Sequence, residues 1–343
     1  KLTIMDIFER TFKRSQLEIE SATVAMILIM ITMADGDEHF CDEMFSNHYN
    51  ILEQILMDHT MNPLVRSQCA IALSFGCFIT DFGTEKIRDL LLKLVEIAFI
   101  SYSTKNNKHE QQQHEQMLMY QLQEICIQMF TFLITIETNT FVETFFYIQN
   151  IFPKLDQCLQ SSNLSLRIAA GQCVAIVIEK CSSIGDDHSI MGNLIDIIQS
   201  LAIDCKKWKS KKDLRQQRSV FRSILRTIQD DQFETVKVNI VVSRNVREQL
   251  NVNSWSEKLY YDVFCRVLGS GMNVHLGSNQ FIREVFQLGP MINYNEMNDF
   301  VLDRRQVKVE NDYQNNFNRK CREQFRAKRR HGKQSINNDY FDY

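Results

Sequence analysis

The chain has 343 residues, about twice the usual length of one domain, so two domains or one elongated array are expected. Hydrophobic residues make up 44% and charged residues 24%, which excludes a wholly disordered chain, and 3 Pro with 11 Gly are too few for the turns of an all-β fold. The formal net charge of -3 conceals a sharp segregation: residues 206–226 carry a net +8, residues 319–333 a net +7, and the remainder -18. Such segregation points to a polyanionic partner for the basic parts.

The first 205 residues read as consecutive amphipathic helices joined by short polar turns. The longest nearly apolar run, 22–34, is 13 residues, short of the roughly 20 that cross a bilayer, so a buried helix is expected there. No secretory signal is visible, and the chain opens at Lys1 without a methionine, which leaves room for a segment ahead of it. Val65-Arg66-x-x-Cys69-Ala70-x-Ala72-Leu73 recurs 101 residues on as Leu166-Arg167-x-x-Ala170-Gly171-x-Cys173-Val174. Each copy follows an Asn able to start a helix (Asn62, Asn163), and each sets small residues where a neighbouring helix must come close. A weaker copy without the Arg, Ile19-Glu20-x-x-Thr23-Val24-x-Met26-Ile27, lies 46 residues before the first. With helices expected over 115–136 and 141–159, the gap spans two units of roughly 40 to 47 residues, the period of armadillo or HEAT-like arrays. Arg66 and Arg167 are expected to tie neighbouring helices together. Residues 106–113 are polar and read as a surface loop.

After Asp204 the texture changes. Leu214, Phe221, Ile224, Leu225 and Ile228 recur at helical spacing, while Arg215, Arg218, Arg222 and Arg226 follow at steps of three and four. This predicts a helix with an apolar face on the protein and an arginine ridge beside it. Residues 235–242 alternate and suggest a short strand, with 246–255 as its partner. Ser254-x-x-Glu257 reads as a capping box opening a helix that ends at Gly269, and Ser278 as the cap of another running to Gly289. Beyond Pro290 the chain is Asn-rich and polar, except that Tyr313, Phe317, Cys321 and Phe325 keep a spacing of four, so a basic helix is expected at 313–330.

The architecture expected is therefore all-α: an armadillo/HEAT-like solenoid over 1–205, a smaller, mostly helical C-terminal domain over 206–292 that begins with an Arg-rich helix, and a basic tail over 293–343. Catalytic patterns fail on geometry. His109 and His114 are five apart, about 140° round a helix and off one face. No two Cys have zinc-finger spacing, and His39, Cys41, His48 and His59 read as structural. Gly269-Ser270-Gly271 lacks the remainder of a phosphate loop and reads as a helix cap with a tight turn. Trp208 could stack on a base, although packing is the commoner fate of an indole. The ten Cys sit mostly in apolar stretches, which suits a reducing compartment. No catalytic residue, metal or cofactor is expected, nor a membrane or small-molecule substrate.

Across 217–290 the sequence resembles a known family. Gln217-Arg218-Ser219-Val220-Phe221-Arg222, Ser254-Trp255, Tyr260-Tyr261-Asp262-Val263-Phe264, Val267-Leu268-Gly269-Ser270-Gly271-Met272, His275-Leu276 and Ile282-Arg283-Glu284-Val285-Phe286-Gln287-Leu288-Gly289-Pro290 are similar to the C-terminal signature of the interferon-related developmental regulators. The upstream array resembles that family's armadillo-like region. The likeness departs over 236–253, in the Asn-rich segment and in the long basic run, where Arg319-Lys320-Cys321-Arg322 still resembles the family's basic end. The resemblance implies a non-enzymatic regulator in one of two settings. One is binding to idle ribosomes with the C-terminal helix in the messenger path; the other is nuclear co-regulation of transcription through chromatin-modifying partners. The charge map favours the first, in the cytoplasm, with a nuclear location also open. The expected contacts to RNA phosphates are Lys206, Lys207, Lys209, Lys211, Lys212, Arg215, Arg218, Arg222 and Arg226, with Arg319, Lys320, Arg322, Arg326, Lys328, Arg329, Arg330 and Lys333 from the tail. Phe317 and Phe325 are expected to stack or dock.

Overall fold

A computed structural model describes residues 3–80, 82–100, 110–181, 188–204, 210–230, 232–241 and 247–290. The chain divides into two compact units, Lys1–Met291 and Ile292–Tyr343, and every described residue belongs to the first. Lys206, Lys207, Trp208, Lys209, the whole tail set with Phe317 and Phe325, and the helix expected at 313–330 lie outside the described residues.

Side-chain caps open the helices where the sequence places them. Asn62 Oδ1 accepts from the Leu64 amide at 2.9 Å, with Pro63 in the first turn, and Asn163 Oδ1 accepts from the Leu166 amide at 3.0 Å. The array runs α1 (Ile4–Thr11), α2 (Gln16–Met33), α3 (Glu38–Met57), α4 (Pro63–Ile79), α5 (Thr84–Ala98), α6 (Glu110–Ile134), α7 (Asn139–Ile148), α8 (Ile151–Leu159), α9 (Leu164–Lys180), α10 (His188–Ile203) and α11 (Lys211–Asp230). Helices α2, α4, α6, α9 and α11 pack side by side in that order as rungs, and α3, α5, α8 and α10 back onto α4, α6, α9 and α11. This is the helical-repeat solenoid expected. All three partial sequence copies fall on rungs, α2, α4 and α9, and α6 is the rung between the strong pair.

A rung has neighbours on several sides, so α4 buries nearly its whole circumference, from Val65 to Cys77. The same holds for the second half of α6, from Leu122 to Ile134, whereas α2 buries one face, Ile19, Ala22, Thr23, Met26, Ile27, Met30 and Ile31. Gln16–Met33 and Gln113–Ile134 are long and apolar enough by composition to cross a bilayer, yet Met26, Ile27, Met30, Cys126, Phe130 and Leu133 are core residues here.

Strands β1 (Val236–Val241) and β2 (Arg247–Val252) form the expected antiparallel ribbon, with Val236 opposite Val252 and Val241 opposite Arg247. Helix α12 (Trp255–Leu268), a tight turn at Gly269–Gly271, α13 (Met272–Ser278) and α14 (Gln280–Val285) follow. Helix α12 lies on α2, α6 and α9, where Tyr260 and Phe264 enter an aromatic cluster with Phe75, Phe78 and Phe132. One hydrophobic core therefore runs from Phe8 to Phe286.

Four local expectations are corrected. The helix expected over 141–159 is two, because Asn150 adopts a left-handed conformation (φ 51°) that helix geometry cannot continue. The loop expected over 106–113 yields to α6 from Glu110 onward. Ser278 does not cap α14: its hydroxyl donates to the Val274 carbonyl at 2.9 Å, and Asn279 Oδ1 accepts from the Ile282 amide instead, in a helix ending at Val285. Ser254 does cap α12, but the Glu257 carboxylate accepts from the Asn253 amide at 2.6 Å, one residue ahead of the box.

Candidate nucleic-acid interface

Helix α11 is the last rung, and packing fixes which side faces out. Leu214, Gln217, Phe221 and Ile224 are buried against α9 and α10, with Leu225 and Ile228 half-buried. At about 100° per residue, Arg215, Arg218, Arg222 and Arg226 return to one side. Arg215, Arg222 and Arg226 are exposed, and Arg218 is half-buried with its Nε donating to the Leu214 carbonyl at 3.2 Å. Together with Ser219, Ser223 and Glu234 they line an open groove of about 410 Å³. Arg226 and Glu234 meet there in an ion pair of 2.8 Å.

The ridge is held in place from behind. Gly171 on α9 leaves room for the Phe221 ring; a Cβ there would lie 2.7 Å from it. Arg167 donates to the carbonyls of Ser161 and Ser162 at 2.6 and 2.9 Å and to Gln217 Oε1 at 2.8 Å, while Gln217 Nε2 donates to the Leu201 carbonyl at 3.0 Å. Burial lowers the Arg167 pKa, opposed by Asp204 and Asp213. Arg66, its counterpart on α4, donates from Nε to the Leu56 carbonyl of α3 at 2.8 Å. Both arginines tie neighbouring segments of the array, as their recurrence predicted.

The ridge is unfavourable for the helix that carries it. Lys211 and Lys212 stand exposed in the first turn, where the helix dipole favours anions. Lys211–Arg215, Arg218–Arg222 and Arg222–Arg226 are like-charged neighbours four apart, each costing about 0.2–0.5 kcal/mol. What a helix disfavours, a row of phosphates would offset.

The structure thus gathers the four ridge arginines, with Lys211 and Lys212 at the same helix's start. Sequence reasoning missed Ser219, Ser223 and Glu234. The serines continue the ridge at a spacing of four and were accessible to the same periodicity argument; Glu234 arrives from the segment before β1 and carried no such signal. Among the described residues no cluster of three or more His, Cys, Asp or Glu could hold a metal. Cys41 Sγ donates to the Met30 carbonyl, and the buried His48 ring lies against the carbonyls of Met44 and Met5, so both serve packing.

A family model described as Interferon-related developmental regulator matches residues 1–229. The chain belongs to that family. A second model, Interferon-related protein conserved region, matches residues 279–334, so the Asn-rich segment and basic run that looked like departures fall within the family's conserved sequence. Residues 230–278, with several of the words that first suggested the likeness, lie outside both models. Interferon-related developmental regulator 2 of Mus musculus is 29% identical over 293 residues, 85% of this chain and 64% of its own length. Interferon-related developmental regulator 1 of Homo sapiens is 30% identical over 297 residues, 85% of this chain and 63% of its own length. The chain spans under two thirds of either relative.

Proposed function

We propose that this family member acts without chemistry of its own, as a ribosome-binding regulator of translation in the cytoplasm, its basic surfaces lying on RNA phosphates. The arginine groove of α11 carries the reading: an outward row of cations kept on a helix that would be more stable without it. The run 319–333, with Phe317 and Phe325 beside it, is the proposed occupant of the messenger path, so inhibition is steric. A second reading, a nuclear scaffold recruiting chromatin-modifying proteins, calls for an open protein-docking groove. The rung face across α2, α6 and α9 is covered by α12, while an apolar groove of about 540 Å³ stays open between α1 and α2; it is the arginine groove that favours the first reading.

Sedimentation of a cell extract through sucrose gradients tests this. The chain should travel with ribosomes at low salt and leave them steeply as salt rises, because each neutralised phosphate releases counterions. Removing residues 311–343 should abolish inhibition in a cell-free translation extract. Association indifferent to salt, or full inhibition by the truncated chain, would overturn the reading.

A further inference from the structure

The arginines of α11 succeed one another at intervals of three, four and four residues, which the helical rise converts to steps of about 4.5, 6 and 6 Å. That is the scale on which phosphates follow one another along one strand. The hydroxyls of Ser219 and Ser223 sit between the guanidinium groups in the same groove and can donate to phosphate oxygens. Among the described residues no aromatic side chain lines it, and the groove offers cations and hydroxyls. Glu234, from outside the helix, also lines the groove, and its carboxylate holds Arg226 at 2.8 Å. A second backbone laid beside the first would meet a carboxylate there.

We propose that the groove binds the sugar–phosphate backbone of a single RNA strand along the arginine row, and that Glu234 closes the last position by occupying Arg226. The proposal rests on the RNA-binding reading above and adds its regulation. With Glu234 in place the groove takes phosphates at the exposed Arg215 and Arg222. The position at Arg226 opens only when the carboxylate swings away. Both partners of the pair are well exposed, 58% for Arg226 and 71% for Glu234. Exposed pairs of this kind exchange readily, so the carboxylate is a gate and not a lock. Binding at this groove is indifferent to base sequence.

The test uses the full chain, a labelled unstructured oligouridine and fluorescence anisotropy across a salt series, so that contributions of the tail are common to every variant. Glu234→Gln should tighten binding roughly two- to fivefold, the worth of one exposed pair. It should also steepen the log–log salt slope by about 0.7, the release expected for one more phosphate on a single strand. In an Arg226→Ala background the same change should alter neither affinity nor slope. An equal gain in both backgrounds would show that Glu234 acts only as diffuse negative charge, and no gain in either that it closes nothing; both overturn the gate. Equal affinity and slope for an RNA duplex would overturn the single-strand assignment. Failure of the ribosome reading looks different: Arg215→Ala with Arg222→Ala would weaken oligouridine binding yet leave ribosome co-sedimentation unchanged.

Discussion

Cys69, Cys77, Cys126, Cys158 and Cys173 are buried, and desolvation pushes each thiol up to about 12. A raised pKa keeps the proton on sulfur, so at pH 8 these side chains are packing hydrophobes with almost no nucleophilic thiolate. Native protein treated with iodoacetamide at pH 8 should leave all five unmodified by mass spectrometry, and denatured protein should lose that protection. Labelling of native Cys126 or Cys173 would contradict the packing. The folded state keeps protons that the unfolded state releases above about pH 8.5, so their contribution to stability is complete below that pH and is lost as alkali is added. Gly171 acts through the space it leaves on α9. Its missing side chain is what lets Phe221 seat the arginine helix on α9.

Among the elements, α11 is the one whose composition opposes its conformation. Its inward residues Phe221 and Ile224 hold it against three like-charged neighbour pairs and a lysine-bearing first turn. Arg222 belongs to two of those pairs. Arg222→Gln is therefore expected to leave the melting temperature unchanged or raise it, by about 0.5 kcal/mol in stability, while reducing RNA affinity and lowering the salt slope by about 0.7. Thermal melting and anisotropy on the same preparation check both halves. A variant that melted lower with unchanged RNA affinity would show that the ridge serves the fold.

At the scale of the molecule, the C-terminal helices close over the rungs through a few polar ties around an aromatic interface. The Glu179 carboxylate on α9 accepts from the amides of Trp255 and Ser256 at 2.7 and 3.2 Å, capping α12 from another element. Tyr260 donates to Thr135 at 2.8 Å, Arg266 to Gln128 at 2.8 Å, and Asn279 Nδ2 to the Ile31 carbonyl at 3.0 Å. Glu179→Ala should cost about 1 kcal/mol, the worth of a capping carboxylate. Hydrogen exchange should quicken in α12 to α14 and stay unchanged in α3 and α5, whose main packing partners are α4 and α6. Exchange that quickened equally across the array would show instead that Glu179 supports the rungs as a whole.

Features that depend on neighbours along the chain are legible in the sequence. Asn62, Asn163 and Ser254 announce helix starts because a cap acts within three residues. The arginine ridge is visible because 3.6-residue periodicity is a local property, and the recurrence of Val65–Leu73 at Leu166–Val174 exposed the repeat. The sequence loses resolution where the rungs are buried nearly all round, since a helix without a polar face gives no period to read. Packing of distant segments is what lays α12 over the rungs, makes Glu179 cap a helix 76 residues away and brings Glu234 into the arginine groove. The left-handed break at Asn150 and the move of the α14 cap from Ser278 to Asn279 belong with these. Each depends on which of several locally acceptable partners the packed chain brings within reach, and that choice is made by burial of the common core.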